Sequence, residues 1–154
     1  MAERFLEDFA VGQTYSSGRV RVDAEEIKLF ARTFDPQPFH LDEEAARSTF
    51  FHGLAASGWH TAALTMKLLV ESELKLAGGI VGAGGELSWE RPVRPGDELH
   101  LHTEVLEIRP SRSNPHQGRI KLRTTTLNQD EKPVQTTMMN LVVQRRSNAG
   151  PAAE

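Results

Sequence analysis

The spacing of hydrophobic residues along the chain changes near residue 79. Before this point apolar residues recur about every three to four positions, as on one face of a helix, whereas after it they tend to alternate with polar residues, as in β-strands. Apart from one early strand, helical segments therefore come first and strands second. This order is typical of an α+β fold with an antiparallel sheet rather than of alternating βαβ units.

The most hydrophobic segment, residues 59–75, predicts a long helix. Leu64 and Leu68 widen its apolar face until the first three turns are apolar nearly all round, and such a helix must be buried. Its charged residues come late, so its C-terminal end is expected to reach solvent. The apolar face is made by Trp59, Ala62, Ala63, Met66, Leu69 and Val70.

Shorter elements are predicted ahead of this helix. One strand is expected over residues 13–22. Asp23 then serves as a helix N-cap, and Glu26, three residues on, is placed to complete a capping box. The helix that they begin must end before Pro36. Its apolar stripe consists of Ile27, Phe30 and Ala31.

Residues 35–40 contain two prolines and are predicted to form a stiff loop. Each proline fixes its own φ and pushes the preceding residue toward extended geometry. Asp42 is then placed to cap a short helix over residues 43–48.

After residue 79 the pattern predicts four strands separated by turn residues. A change of alternation at Leu106 indicates a bulge in the second of them. One buried helix and about five strands pack simply as an antiparallel sheet curled around the helix. Because a one-sided sheet leaves exposed edges, a dimer that continues the sheet is expected. The four strands are predicted at residues 80–91, 97–108, 119–129 and 134–145.

Length and composition fit one ordinary globular domain. The chain has 154 residues, a formal net charge of −3 and no cysteine, so disulfides, thiolate nucleophiles and Cys-type metal sites are excluded. We expect one domain over residues 1–146 and a flexible tail over residues 147–154, which has little apolar content.

Nothing in the charge pattern indicates a nucleic-acid or membrane partner. The basic residues are scattered rather than clustered into a phosphate-binding stripe. The acidic N-terminus lacks an apolar run of signal-peptide length, and residues 59–70 are too short to span a bilayer. A cytoplasmic location is therefore the expectation.

Asp35 and His40, which lie in the stiff loop, are the candidate acid–base residues. A carboxylate and an imidazole held together can divide a proton transfer, one removing a proton while the other supplies one. The alternative is structural: Asp35 ends a helix and His40 is a hydrogen-bonded polar residue without a catalytic role. Spacing alone does not decide between these interpretations.

Gly58, preceded by Ser57, is the candidate oxyanion site. A glycine in the first turn of a helix leaves backbone N–H groups uncovered at the positive end of the helix dipole, where an oxygen that gains negative charge is stabilised. Ser57 can also simply cap the helix while Gly58 permits tight packing, and both interpretations can hold together.

Other motifs indicate no chemistry. His100 and His102 share one face of a strand but lack a third ligand, so no metal site is expected. His52 and His60 flank the glycine segment and are placed to line a cleft, although structural roles are commoner. The glycines of residues 82–85 are not a phosphate loop, because no Gly-Lys-Ser/Thr follows them.

Several segments together resemble the MaoC-like dehydratases, a group that includes (R)-specific enoyl-CoA hydratases. The first is Asp35-Pro-Gln-Pro-Phe-His40-Leu-Asp42, and it is followed by residues 50–53, residues 57–59 and the long apolar helix. Residues 87–97, with their Pro-Gly-Asp turn, resemble the family's strand and turn after that helix. The similarity runs through roughly residues 8–145.

This resemblance implies a single hotdog fold, in which an antiparallel sheet wraps a long central helix, and a homodimer with an acyl-CoA tunnel near its interface. It implies that Asp35 and His40 hold a water for addition across the C2–C3 double bond of a 2-enoyl thioester. Gly58 matches the glycine whose N–H receives the thioester oxygen, and Ser57 and Trp59 are expected to line the same site. The acyl-CoA is a substrate, and no separate cofactor or metal is expected.

Three positions depart from the family pattern and leave the substrate open. Gln37 stands where the family usually has Asn, Ser57 where it often has His, and Met66 where some hydratases have Ser. The alternative functions are a hotdog acyl-CoA thioesterase and a non-catalytic acyl-CoA-binding subunit. A thioesterase needs a carboxylate near the thioester carbonyl, and Glu71 and Glu73 come too late in the helix for this role.

Overall fold

The computed structural model describes residues 2–146, so the tail predicted over residues 147–154 lies outside the described residues. A 3₁₀ turn, Leu6–Asp8, precedes four helices and six strands. The helices are α1 (Ala24–Phe34), α2 (Pro38–Leu41), α3 (Glu43–Ala46) and α4 (Gly58–Glu71). The strands are β1 (Thr14–Ser16), β2 (Val20–Arg21), β3 (Val81–Trp89), β4 (Glu98–Pro110), β5 (Gln117–Leu127) and β6 (Pro133–Gln144).

The six strands form one antiparallel sheet around α4, which confirms the predicted α+β arrangement. The order is β1-β4-β5-β6-β3, and β2 also pairs with β4. Along β5 the even-numbered residues are buried and the odd-numbered ones are not, as expected of a sheet with one face on the core. Fully buried side chains include Ile27, Leu74, Leu99, Leu101, Ile120, Leu122 and Leu141.

The four later strands begin and end within three residues of their predicted limits, and the bulge falls where it was predicted, between Val105 and Glu107. The prediction of a single early strand was wrong, because β1 and β2 are separate strands. Between them the Ser17 hydroxyl accepts a hydrogen bond from the Leu101 N–H at 2.8 Å. A side chain thus takes the place of a backbone carbonyl, and the ladder is interrupted there.

The structure also corrects the elements before α4. Asp23 caps α1 by accepting from the Glu26 N–H at 2.9 Å, but no reciprocal bond to the Glu26 side chain completes a capping box among residues 2–146. The predicted stiff loop contains the helical turn α2, which begins at Pro38. Proline is well suited to a first helical position because its missing N–H has no partner to lose there.

Helix α4 exposes part of the apolar face that was predicted to be buried, whereas Leu69 of that face does lie in the core. Trp59, Met66 and Val70 are 60%, 43% and 54% exposed. Thr65 lies on the buried side because its hydroxyl is 2.7 Å from that of Thr126 in the sheet, so this polar group is satisfied inside. The buried residues of α4 are His60, Thr61, Thr65, Leu68 and Leu69.

None of the helices within residues 2–146 has the length and apolar character needed to cross a membrane.

Candidate active site

Asp35 and His40 are brought together by the two prolines between them. Asp35 follows the last residue of α1, where its N–H still donates to the Ala31 carbonyl. Pro36 prevents the helix from continuing, and Pro38 starts α2, which carries His40. The chain thereby turns back on itself, and Asp35 Oδ2 lies 3.4 Å from His40 Nε2.

The His40 ring is buried and held in one orientation. Its Nδ1–H donates to the Ala55 carbonyl at 2.6 Å, and Phe39 packs edge-on against it at a centroid distance of 4.6 Å. A carbonyl oxygen can only accept, so Nδ1 carries a proton and Nε2 has a free lone pair in the neutral ring. That lone pair is on the Asp35 side, where a water or a substrate group can bind.

The Asp35 carboxylate is stabilised as an anion. Burial raises the pKa of Asp35, but hydrogen bonds from Gln37 and Ser57 and the proximity of His40 outweigh it, and the pKa lies below its ordinary value. Gln37 Nε2 donates to Oδ1 at 2.5 Å, and the Ser57 hydroxyl donates to Oδ2 at 2.7 Å. Asp35 is therefore ionised at neutral pH.

Removing the bond from Gln37 is expected to raise the pKa of Asp35. In Gln37→Ala the anion loses one donor, so the carboxylate takes up a proton at a higher pH than in the wild type. The measurement is a carboxyl-carbon NMR titration of Asp35. Gln129→Ala, which removes a comparable bond to Asp97 outside the site, is the control and should leave Asp35 unchanged. An Asp35 titration that is identical in Gln37→Ala and wild type would contradict this account.

Ser57 and Gly58 begin α4 and connect the carboxylate to the helix N-terminus. Ser57 is the N-cap and accepts from the Trp59 N–H at 3.2 Å while it donates to Asp35. Its carbonyl accepts from the N–H groups of His60 and Thr61. Among residues 2–146 the Gly58 N–H has no acceptor, so it remains available to an anion at the positive end of the helix.

These groups line a cleft of about 470 Å³. Asp35, His40 and Gln37 line it together with Gly58, and its other polar lining residues are Thr61, Glu90 and Arg91. Aromatic rings form much of the rest, contributed by Phe39, Phe51, Trp59 and Trp89. All five site residues predicted from the sequence are near one another. Ser57 does not line the cleft itself, but it donates a hydrogen bond to Asp35, which does.

Three participants in the site were missed or misinterpreted. Gln37 was treated only as a departure from the family pattern, yet it is a direct donor to Asp35. Trp89 lies against Gly58, and a Cβ added to Gly58 would be 2.5 Å from its ring. The segment that contains Trp89 was singled out, but not this residue. The Ala55 carbonyl that orients His40 leaves no trace in the sequence, because any residue provides a carbonyl.

The other histidines lie outside the cleft. His52 and His60 do not line it, so that possibility was wrong. His60 stacks on Phe30 at 4.8 Å instead, and burial lowers its pKa. His100 contacts Arg19 and Glu131. Within the described part of the chain no cluster of His, Asp or Glu side chains is placed to hold a metal ion.

Comparison with known proteins identifies the family. A family model described as MaoC like domain matches residues 8–128. The chain is 34% identical over 143 residues to an uncharacterized protein, YdeM, of Bacillus subtilis (strain 168), covering 91% of this chain and 99% of that protein. It is 34% identical over 110 residues to a 3-hydroxybutyryl-CoA dehydratase of Methylorubrum extorquens, covering 70% and 68% of the two chains.

A solved structure agrees with these relatives. The crystal structure of a MaoC-like dehydratase from Rhodospirillum rubrum is 60% identical and superposes with a TM-score of 0.91, covering 93% of this chain and 98% of that one. The match of the family model includes the loop with Asp35 and His40 and the start of α4. The chain therefore belongs to the MaoC-like family and has the hotdog fold, an antiparallel sheet wrapped around a long central helix.

Proposed function

We propose that this protein is a hydro-lyase that reversibly hydrates a 2-enoyl-CoA, or equivalently dehydrates a 3-hydroxyacyl-CoA. The observation that carries the proposal is the Asp35–His40 pair, with 3.4 Å between Oδ2 and Nε2, in a cleft that Gly58 also lines. If the pair binds a water and Gly58 binds the thioester oxygen, the water and the enoyl thioester meet in one cleft.

The chemistry balances with these groups alone. The water oxygen bonds to C3 while one water proton passes to the Asp35–His40 pair. The C2–C3 π electrons move toward the thioester oxygen, where the Gly58 N–H stabilises the growing negative charge. A proton from the pair then bonds to C2, and the carbonyl re-forms. The two groups interact closely, so the pair rather than either residue is the acid–base unit.

The environment of each group suits this role. Asp35 is kept ionised by its two donors and can hold the water. Because the other nitrogen of His40 donates to the Ala55 carbonyl, Nε2 is the ring nitrogen that can exchange a proton with the bound water. A relative with 34% identity is a 3-hydroxybutyryl-CoA dehydratase, which supports a hydroxyacyl-CoA substrate here.

The test is to follow loss of the enoyl-thioester absorbance with 2-enoyl-CoAs of several chain lengths while measuring free thiol in the same samples. We expect absorbance to fall without thiol release. Thiol release from a saturated acyl-CoA would instead favour the thioesterase. Binding of CoA esters with no turnover of any of them would favour the non-catalytic subunit and overturn the proposal.

We propose in addition that the protein acts as a homodimer. The exposed apolar row Trp59, Met66 and Val70 lies on α4, and β3 is the end strand of the sheet, paired only with β6 in the described residues. A second copy that extends the sheet at β3 covers this unpaired edge.

Light scattering after gel filtration is therefore expected to give twice the chain mass of 17.1 kDa. Val70→Lys should shift the protein toward the monomer, because a charge would be buried in the interface. Leu29→Lys, at a comparably exposed leucine on α1, is the matched control. A monomeric wild type, or equal behaviour of the two variants, would contradict the dimer.

A further inference from the structure

A second cavity continues along α4 beyond the cleft. It has a volume of about 200 Å³ and lies between α4 and strands β3, β5 and β6. Its lining is largely apolar and includes Ala62, Met66 and Leu69 from the helix and Leu87, Met139 and Leu141 from the sheet. The cleft and this second cavity have no lining residue in common among the described residues.

The indole of Trp89 lines the cleft, and its N–H donates to Gln135, which lines the second cavity. The indole also packs on Gly58, so closely that a Cβ at residue 58 would be 2.5 Å from the ring. Leu87, two residues earlier on β3, faces the same side of the strand and lines the second cavity. On α4, Ala62 follows Gly58 by one turn and lines the second cavity as well.

Two hydrogen bonds from its N–H hold the ring in this position, and one of them leads to a buried amide. The Trp89 Nε1–H donates to the Gly58 carbonyl at 3.1 Å and to Gln135 Oε1 at 2.9 Å. Gln135 is fully buried, and its amide donates in turn to Thr65 Oγ1 at 3.1 Å. Moving the ring would leave a buried amide oxygen without its partner, which is costly inside a protein.

We infer that Trp89 determines the length of the acyl group that the cleft accepts. This inference rests on the proposed function, since it takes an acyl thioester as the ligand. With the thioester oxygen at the Gly58 N–H, an acyl chain directed along α4 meets the indole held over Gly58. Short acyl groups fit in front of the ring, and longer ones reach the second cavity only when the ring is absent.

The test is isothermal titration calorimetry of butyryl-CoA and octanoyl-CoA with wild type, Trp89→Ala and Trp89→Phe. We expect the wild type to bind butyryl-CoA about tenfold or more tightly than octanoyl-CoA, because the additional methylenes have no apolar space to enter. In Trp89→Ala the preference should reverse. In Trp89→Phe, which keeps an aromatic ring but loses the N–H and part of the volume, it should be intermediate.

Leu87→Ala is the matched control, because it enlarges the second cavity and leaves the ring in place. Its chain-length preference should equal that of the wild type. Circular dichroism checks that each variant is folded. If Trp89→Ala does not fold, the chain-length preference of Trp89→Phe tests the inference. Equal affinities of the wild type for both ligands, or an unchanged preference in the folded Trp89 variants, would overturn the inference. Failure of every variant and the wild type to bind any acyl-CoA would overturn the proposed function, and this inference with it.

Discussion

Asp35→Asn is expected to lower kcat for hydration of a short 2-enoyl-CoA by about 10²- to 10⁴-fold, the range over which positioned acid–base groups contribute. Asparagine has the shape of aspartate but no negative charge, so it neither takes a proton from the bound water nor stabilises a protonated His40. The Asp35 carboxylate accepts from Gln37 and Ser57, and an amide can retain only part of this arrangement. The measurement is the initial rate of enoyl-thioester absorbance loss at saturating substrate.

A matched variant shows whether the loss of activity is specific to the Asp35 carboxylate or follows the removal of any carboxylate. Asp130→Asn changes an exposed aspartate in the turn between β5 and β6 and should retain wild-type kcat. The affinity of Asp35→Asn for a saturated acyl-CoA, measured by calorimetry, should be within about threefold of the wild-type affinity. The lost carboxylate acts in the reaction rather than in binding. Wild-type turnover by folded Asp35→Asn would exclude the acid–base role.

Gly58→Ala is expected to reduce kcat by about 10²-fold or more, the loss typical of a disturbed oxyanion donor. The added methyl group would lie 2.5 Å from the Trp89 ring, a separation that neither group tolerates. Either the indole leaves its bonds to Gly58 and Gln135 or the first turn of α4 shifts, and the second movement displaces the Gly58 N–H. The melting temperature should fall as well, because overpacking costs typically about 1–3 kcal/mol.

Gly18→Ala is the control for the added methyl group itself. No heavy atom lies within 4 Å of the Cβ position at Gly18, so its activity and melting temperature should remain those of the wild type. A double variant, Gly58→Ala with Trp89→Phe, relieves part of the steric conflict and should recover some of the lost stability. Wild-type activity and a wild-type melting temperature of Gly58→Ala would contradict the steric conflict, and wild-type activity with a lowered melting temperature would mean that the indole had moved and the helix had not.

The Ser57 hydroxyl couples the two halves of the proposed site. It donates to the Asp35 carboxylate and accepts from the Trp59 N–H, so the acid–base pair and the helix N-terminus share one rigid connection. Two structural expectations from the sequence are therefore met: Asp35 ends α1, and Ser57 caps α4.

The sequence by itself determined the order and type of most elements, because these depend on short-range properties. Alternation of apolar residues predicted the four long strands and the bulge, and Asp23 predicted the start of α1. The local motif of Asp35, the two prolines and His40 predicted which residues would meet, since a proline-rigidified segment of six residues leaves few conformations.

Only the tertiary structure decided which face of α4 is buried and what surrounds the pair. The apolar pattern predicted that Trp59 and Met66 lie in the core, but a face that carries Thr65 as well as Leu68 and Leu69 is the buried one, and a hydroxyl of the sheet satisfies Thr65. The Ala55 carbonyl that fixes His40 and the Trp89 ring that covers Gly58 come from 15 and 31 residues away. Such contacts depend on how helices and strands pack, and no local pattern of residue types encodes them.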